Sequence, residues 1–239
     1  MKPVLYFLVA SLMTTNSAFS APLPAPPDAE KQPHQVKTPF GAIRDDEYYW
    51  LRDDARANPK MLDYLQAENA YADAVMAPLK PLEERLYEEI VGRIKQDDAS
   101  VPYRERGYWY YSRFETGKDY PIQARRKGDM QAPEEILLDV NVMAEGKGYF
   151  NVGDAQVSQD NRLLAWAEDG VGRRQYTVRF KDLQTGALLP DVIEGVSPNV
   201  VWADDNRTVF YVENDPETLL TVRVKRHVLG TPVSTDTTV

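Results

Sequence analysis

Few residues in this chain are equipped for chemistry. Histidine occurs twice, as His34 and His227, and cysteine does not occur. The lack of cysteine removes disulfides, thiolate nucleophiles and Cys-based zinc sites. A serine nucleophile needs a base and an orienting acid within reach. No G-x-S-x-G string is present. Gly195-Val196-Ser197-Pro198 comes nearest, and its proline does not fit the sharp turn that exposes such a serine. His34 sits in a Pro-rich stretch and reads as solvated. His227 falls late in an expected strand, where a packed or edge histidine is the ordinary explanation. No catalytic residue is therefore assigned.

Metal and phosphate sites are equally absent from the pattern. There is no H-x-x-x-H or H-E-x-x-H. Asp97-Asp98 and Asp204-Asp205-Asn206 look like pieces of calcium loops but lack the full spacing and the closing Glu, so they read as turns. Gly146-Lys147-Gly148 lacks the rest of a phosphate loop. No cofactor is expected. One polar cluster stands out: Glu168, Asp169, Arg173 and Arg174 around Gly170 and Gly172. It reads either as a solvated loop with weak surface ion pairs or as a rim contact to a partner domain.

The elements around these residues change character along the chain. Residues 1–20 have the layout of a secretory signal peptide: Lys2, an apolar run from Val4 to Met13, then Ala18 and Ser20, with cleavage expected after Ser20. That implies a periplasmic or secreted protein with no membrane attachment after cleavage. The formal charge of −9 argues against nucleic acid as a partner. Residues 21–43 form a Pro-rich extended leader. Residues 44–98 read as a helical extension that opens on the aromatic-charged string RDDEYYWLRDD. Asn58-Pro59 is a helix start, with Asn as the cap and Pro in the first turn. Leu62, Leu65, Asn69, Ala72 and Met76 then share one face. Pro78 and Pro81 are expected to break the helix. A second helix from about Leu82 to Ile94 carries Leu82, Leu86, Ile90 and Ile94 in a stripe. Two such stripes need something to cover them.

From residue 99 onward the pattern is short strands and turn signals. Ser158–Glu168 (SQDNRLLAWAE) resembles Ala203–Glu213 (ADDNRTVFYVE) at an offset of 45, and TVRFKDLQTG at 177 resembles TVRVKRHVLG at 221 at an offset of 44. A repeat of this length with strand pairs inside it fits a β-propeller blade, although two hairpins rich in Asp, Asn and Gly also resemble each other by chance. The expected fold is mainly β: a partial propeller of about three blades over 99–239, preceded by the α-helical extension. Blades are placed at roughly 100–148, 150–197 and 199 to the end. Three blades do not close a ring, so more of the propeller is expected elsewhere.

RDDEYYWLRDD, Asp63-Tyr64-Leu65, Glu68-Asn69 and EDGVGRRQYTVRF at 168–180 together resemble the prolyl oligopeptidase family of serine peptidases, with the nearest likeness to oligopeptidase B. The resemblance covers residue 26 to the end. It implies a helical extension packed on an α/β-hydrolase domain, a seven-bladed propeller that admits short peptides, and cleavage after Lys or Arg. On that reading Tyr48, Tyr49, Trp50, Leu51, Leu62 and Leu65 would pack on the hydrolase domain. The family's Ser, Asp and His have no counterpart here. The chain is thus expected to be inactive alone, with peptide as its partner only within a complete enzyme and the hydrolase domain supplied in cis or in trans. The alternative is a stand-alone exported propeller-type binding module.

Overall fold

The computed structural model describes residues 24–239. The expected signal peptide lies outside the described residues. The chain divides into two compact units between Arg93 and Ile94.

The first unit opens with a hairpin, β1 (Gln35–Lys37) against β2 (Ile43–Asp45), followed by a 3-10 turn at Tyr49–Leu51. Helix α1 spans Pro59–Met76 and α2 spans Lys80–Gly92. The Asn58 side chain accepts the N–H groups of Lys60 and Met61 at 3.0 and 3.4 Å, and Pro59 occupies the first turn. Just upstream, the Asp53 carboxylate accepts Ala57 and Asn58 N–H, each at 2.7 Å, and these bonds hold it below the usual carboxylate range. The expected break between the helices is a single 3-10 turn at Ala77–Leu79. Pro81 lies inside α2, in its first turn, where a missing N–H removes no helical hydrogen bond. The second helix accordingly begins two residues before Leu82.

The second unit is a series of antiparallel sheets. β3 (Tyr103–Glu105), β4 (Tyr108–Arg113), β5 (Ile122–Lys127) and β6 (Glu134–Asp139) form a four-stranded sheet in sequence order. A short helix that the sequence pattern did not announce, α3 (Val140–Ala144), follows it, capped by the Asp139 carboxylate. A seven-stranded sheet then holds β7 (Asn151–Val157), β8 (Leu163–Asp169), β9 (Tyr176–Asp182), β10 (Leu188–Trp202), β11 (Thr208–Asn214), β12 (Thr221–Val228) and β13 (Thr237–Thr238).

The 15-residue β10 resolves this sheet into two blades. Its first half pairs with β9, through Leu188↔Lys181 and Ile193↔Val178. Its second half pairs with β11, through Val200↔Tyr211 and Trp202↔Val209. Val196 pairs with both Tyr176 of β9 and Glu213 of β11, and Gly195, with φ of +70°, immediately precedes this changeover. Blade one is β3–β6, blade two is β7–β9 with the first half of β10, and blade three is the second half of β10 with β11–β13.

Neighbouring blades share cores. Tyr110, Leu137, Leu138, Val140, Phe150, Val157, Leu164 and Trp166 form one cluster between blades one and two. The other joins blades two and three and is built around Val178, Phe180, Ile193, Val200, Trp202 and Val209. Strand β8 serves both: Leu164 and Trp166 point to the first cluster, Ala165 and Ala167 to the second. A strand buried on both faces reads as a continuous apolar run, as LLAWA does. The sheets of the second unit form an open, partial propeller, and the chain as a whole is mainly β.

Candidate functional site

Strand alternation sorts the connections of the second unit into two ends. The innermost strands of blades two and three run side by side: Asp154 Oδ2 accepts the Val200 N–H at 3.2 Å, and the Trp202 indole donates to the Gln156 carbonyl at 2.8 Å. They pass so closely that a Cβ on Gly153 would stand 2.5 Å from Pro198 Cβ and 2.7 Å from the Tyr176 ring. At one end the first turn of each blade touches its neighbour. Asn161 donates from Nδ2 to the Arg106 carbonyl at 3.1 Å, and Asn206 Oδ1 accepts the Asp160 N–H at 2.8 Å. Both asparagines have positive φ, +64° and +58°, which asparagine tolerates better than most residues. The repeated Asp-Asn-Arg string is thus a turn that links blades. Asp205 in this turn accepts Thr208 Oγ1 at 2.6 Å and the Arg207 and Thr208 N–H groups at 2.9 and 2.8 Å. These bonds, led by the Thr208 hydroxyl, bring its carboxyl to about 2.

The opposite end carries the connections at 114–121, 170–175 and 215–220. Here the structure divides the polar cluster around residue 170. Asp169 is buried and accepts the N–H groups of Val171, Gly172 and Arg174 at 2.8, 2.9 and 2.9 Å, so it shapes the loop from within. Glu168 is half-buried and takes the Trp166 indole N–H at 2.8 Å and Arg179 Nε at 2.7 Å. Arg173 and Arg174 are exposed at the loop tip. The carboxylates organise the blade, and the guanidinium groups are the part available to a ligand or partner.

In the first unit, Tyr49 is half-buried and stacks on His34 with centroids 4.0 Å apart. Trp50 donates its indole N–H to the Glu30 carbonyl at 2.8 Å and meets Tyr64 edge-on at 6.0 Å. The Lys60 ammonium lies over the Trp50 ring and pairs with Glu30. Leu51 is half-buried, whereas Tyr48, Leu62 and Leu65 are exposed. Leu82, Leu86 and Ile90 continue this along α2, with Ile90 59% exposed. The first unit therefore presents an apolar helix surface and ties its aromatic string to its own leader.

The sequence leaves His227 as a packed or edge strand residue. It is fully buried, and both ring nitrogens meet carboxylates: Nδ1 with Asp236 Oδ1 at 2.8 Å and Nε2 with Asp191 Oδ1 at 3.0 Å. Asp191 lies 36 residues away in sequence, and no local signal joins it to the histidine. Ser197 lies buried within β10 rather than on a nucleophile turn. Among the described residues no group of three or more His, Asp or Glu is arranged to hold a metal ion.

Comparison with known proteins places this architecture. Residues 27–239 match the family described as prolyl oligopeptidase, N-terminal beta-propeller domain. Dipeptidyl aminopeptidase BI of Pseudoxanthomonas mexicana is 61% identical over 254 aligned positions, covering 99% of this chain and 35% of that protein. Protease 2 of Moraxella lacunata is 35% identical, over 88% of this chain and 31% of that protein. Oligopeptidase B from Leishmania major superposes with a TM-score of 0.81 at 34% identity, over 90% of this chain and 32% of that one. Oligopeptidase B from Trypanosoma brucei, in a closed form with covalently bound antipain, gives 0.80 at 30% identity, over 90% of this chain and 32% of that one. The chain spans about a third of the length of the curated relatives it matches.

Proposed function

The chain belongs to the prolyl oligopeptidase family, and from that premise we propose that it is the helical extension and first propeller blades of an exported peptidase acting on short peptides after Lys or Arg. The observation that carries this reading is the blade architecture of Tyr103–Thr238, matched over most of the chain to oligopeptidase B. In the proposed enzyme the propeller limits access by size, and a hydrolase domain supplies the Ser, Asp and His. The exposed leucines of α1 and α2 pack on that domain. Burying a leucine side chain from water contributes about 1.5–3 kcal/mol, so several together make a strong clasp. The acidic charge of −9 suits cationic peptides.

A second reading is favoured by the relative at 61% identity, whose name describes release of dipeptides from an amino terminus. The two readings share the fold and differ in whether the substrate's amino end must be free.

A fusion tests both. Residues 24–239 would replace the corresponding third of the Pseudoxanthomonas enzyme, and the product would be assayed on Arg and Lys peptides with free or blocked amino ends. Cleavage of blocked peptides supports the endopeptidase; cleavage of free dipeptidyl substrates alone supports the aminopeptidase. A folded but inactive fusion overturns both. The 239-residue chain by itself is expected to give no turnover, and saturable turnover would contradict the proposal.

A further inference from the structure

The His227 site lies outside everything the proposed activity uses. It joins residues from two blades: Asp191 from the β10 half that belongs to blade two, and His227 and Asp236 from blade three. The side chains of Asp191 and Asp236 are 5% and 1% exposed. Asp191 Oδ1 also accepts the Gly230 N–H at 2.6 Å. Asp236 Oδ2 accepts the Tyr211 hydroxyl from β11 at 2.8 Å. Burial and then the neighbouring Asp236 carboxylate raise Tyr211 above the ordinary phenol range, which keeps its proton on the oxygen. Phe180 of β9 covers the imidazole, with ring centroids 6.3 Å apart. Arg162, Asp182, Asp205 and Arg207 line the groove beside Asp191.

An ionised carboxylate accepts hydrogen bonds and has none to give. With one carboxylate on each ring nitrogen, both nitrogens must donate, so the arrangement is satisfied by an imidazolium between two aspartates. Its charge offsets one of the two buried negative charges. Removing one proton would set a nitrogen lone pair against a carboxylate oxygen at 3.0 Å or less and leave two buried anions uncompensated. Besides these side-chain bonds, the segment that carries Asp236 is held by Val233 against the shared core of blades two and three and by the Val239 N–H on the Val224 carbonyl at 3.0 Å. β13 pairs with β12 at only Lys225↔Thr238 and Arg226↔Thr237, supplemented by Arg226 Nε on Thr237 Oγ1 at 2.8 Å.

We propose that His227 is a proton-operated latch, fastening blade two to blade three and seating the outer strand of blade three only while its ring carries both protons. Alkali opens the latch by withdrawing one ring proton.

The chain's two histidines make the test direct, because exposed His34 serves as an internal reference. Histidine-selective nitrogen-15 spectra of the intact chain at mildly acidic pH should show both His227 ring nitrogens protonated. On alkaline titration, loss of that signature should coincide with about a tenfold fall in amide-exchange protection in residues 188–194 and 221–238. In His227→Gln, which retains an amide donor but cannot titrate, protection should start lower and show no step where the wild-type ring loses its proton. A neutral His227 tautomer in the fully protected chain would overturn the proposal, as would unchanged protection when the ring loses its proton. The spectra use unaltered protein, so a poorly folded variant leaves the test intact.

Discussion

Helices α1 and α2 and the middle blade contain similar numbers of large apolar side chains and use them in opposite ways. In β8 and β9, Leu164, Trp166, Val178 and Phe180 are buried against the neighbouring blades. In the helices, Leu62, Leu65, Leu82, Leu86 and Ile90 are exposed. The helices hold their shape through local devices, chiefly the Asn58 cap and the Asp53 turn. The blade holds its shape through contacts that cross from one sheet to the next. Apolar content alone therefore does not reveal which region is a core and which is an exposed surface. Periodicity shows a stripe, and only packing shows what covers it.

The largest effect that separates the regions is expected for Phe180→Ala. Phe180 is fully buried and meets Trp202 edge-on at 5.9 Å, so truncation should destabilise the second unit by about 3–5 kcal/mol in urea unfolding followed by tryptophan fluorescence. A loss below about 1 kcal/mol would show that blades two and three do not share a tight core. Next comes Gly153→Ala. The added methyl meets Pro198 and Tyr176 at under 3 Å, and the expected cost is about 1–3 kcal/mol in the same measurement. A neutral outcome would mean that the inner strands lie further apart. In the helical unit, Asn58→Ala should cost about 1 kcal/mol, read as faster amide exchange in the first turn of α1 and unchanged exchange in the blades. The smallest effect should come from Leu86→Ser. In this chain it should shift stability by about 0.5 kcal/mol or less. In the active fusion it should weaken the association of the helices with the hydrolase domain, measured as loss of activity at lower denaturant. A large cost in the isolated chain would mean that this helix face is already covered.

Much of the fold was legible because its signals are local. Asn58-Pro59 announces α1, and the Asp-Asn-Arg turn repeats with the same backbone twist at Asn161 and Asn206. The aromatic strand Tyr108–Arg113 and its partner Ile122–Lys127 follow from alternation and from the Gly117 turn between them. Other features were hidden. Pro190, Gly195 and Pro198 look like breaks, yet all three lie in the single strand β10, because that strand leaves one blade and enters the next without a loop. The polar cluster at 168–174 reads as one surface feature until burial separates its carboxylates from its arginines.

By itself the sequence determined the family, the mainly β class, the helical extension and the spacing of the blades. The family came from the resemblance carried by RDDEYYWLRDD and EDGVGRRQYTVRF; the class, the helices and the blade spacing rest on caps, turns, period-two strands and a repeat of about 45 residues. The tertiary structure decided what the scarce ionisable groups do. His227 lies far along the chain from Asp191 and near Asp236 only after a turn folds back, and its two carboxylate partners exist only when the sheets are stacked. Its chemistry is fixed by desolvation and by geometry on both ring nitrogens, and neither is written in the residues that flank it.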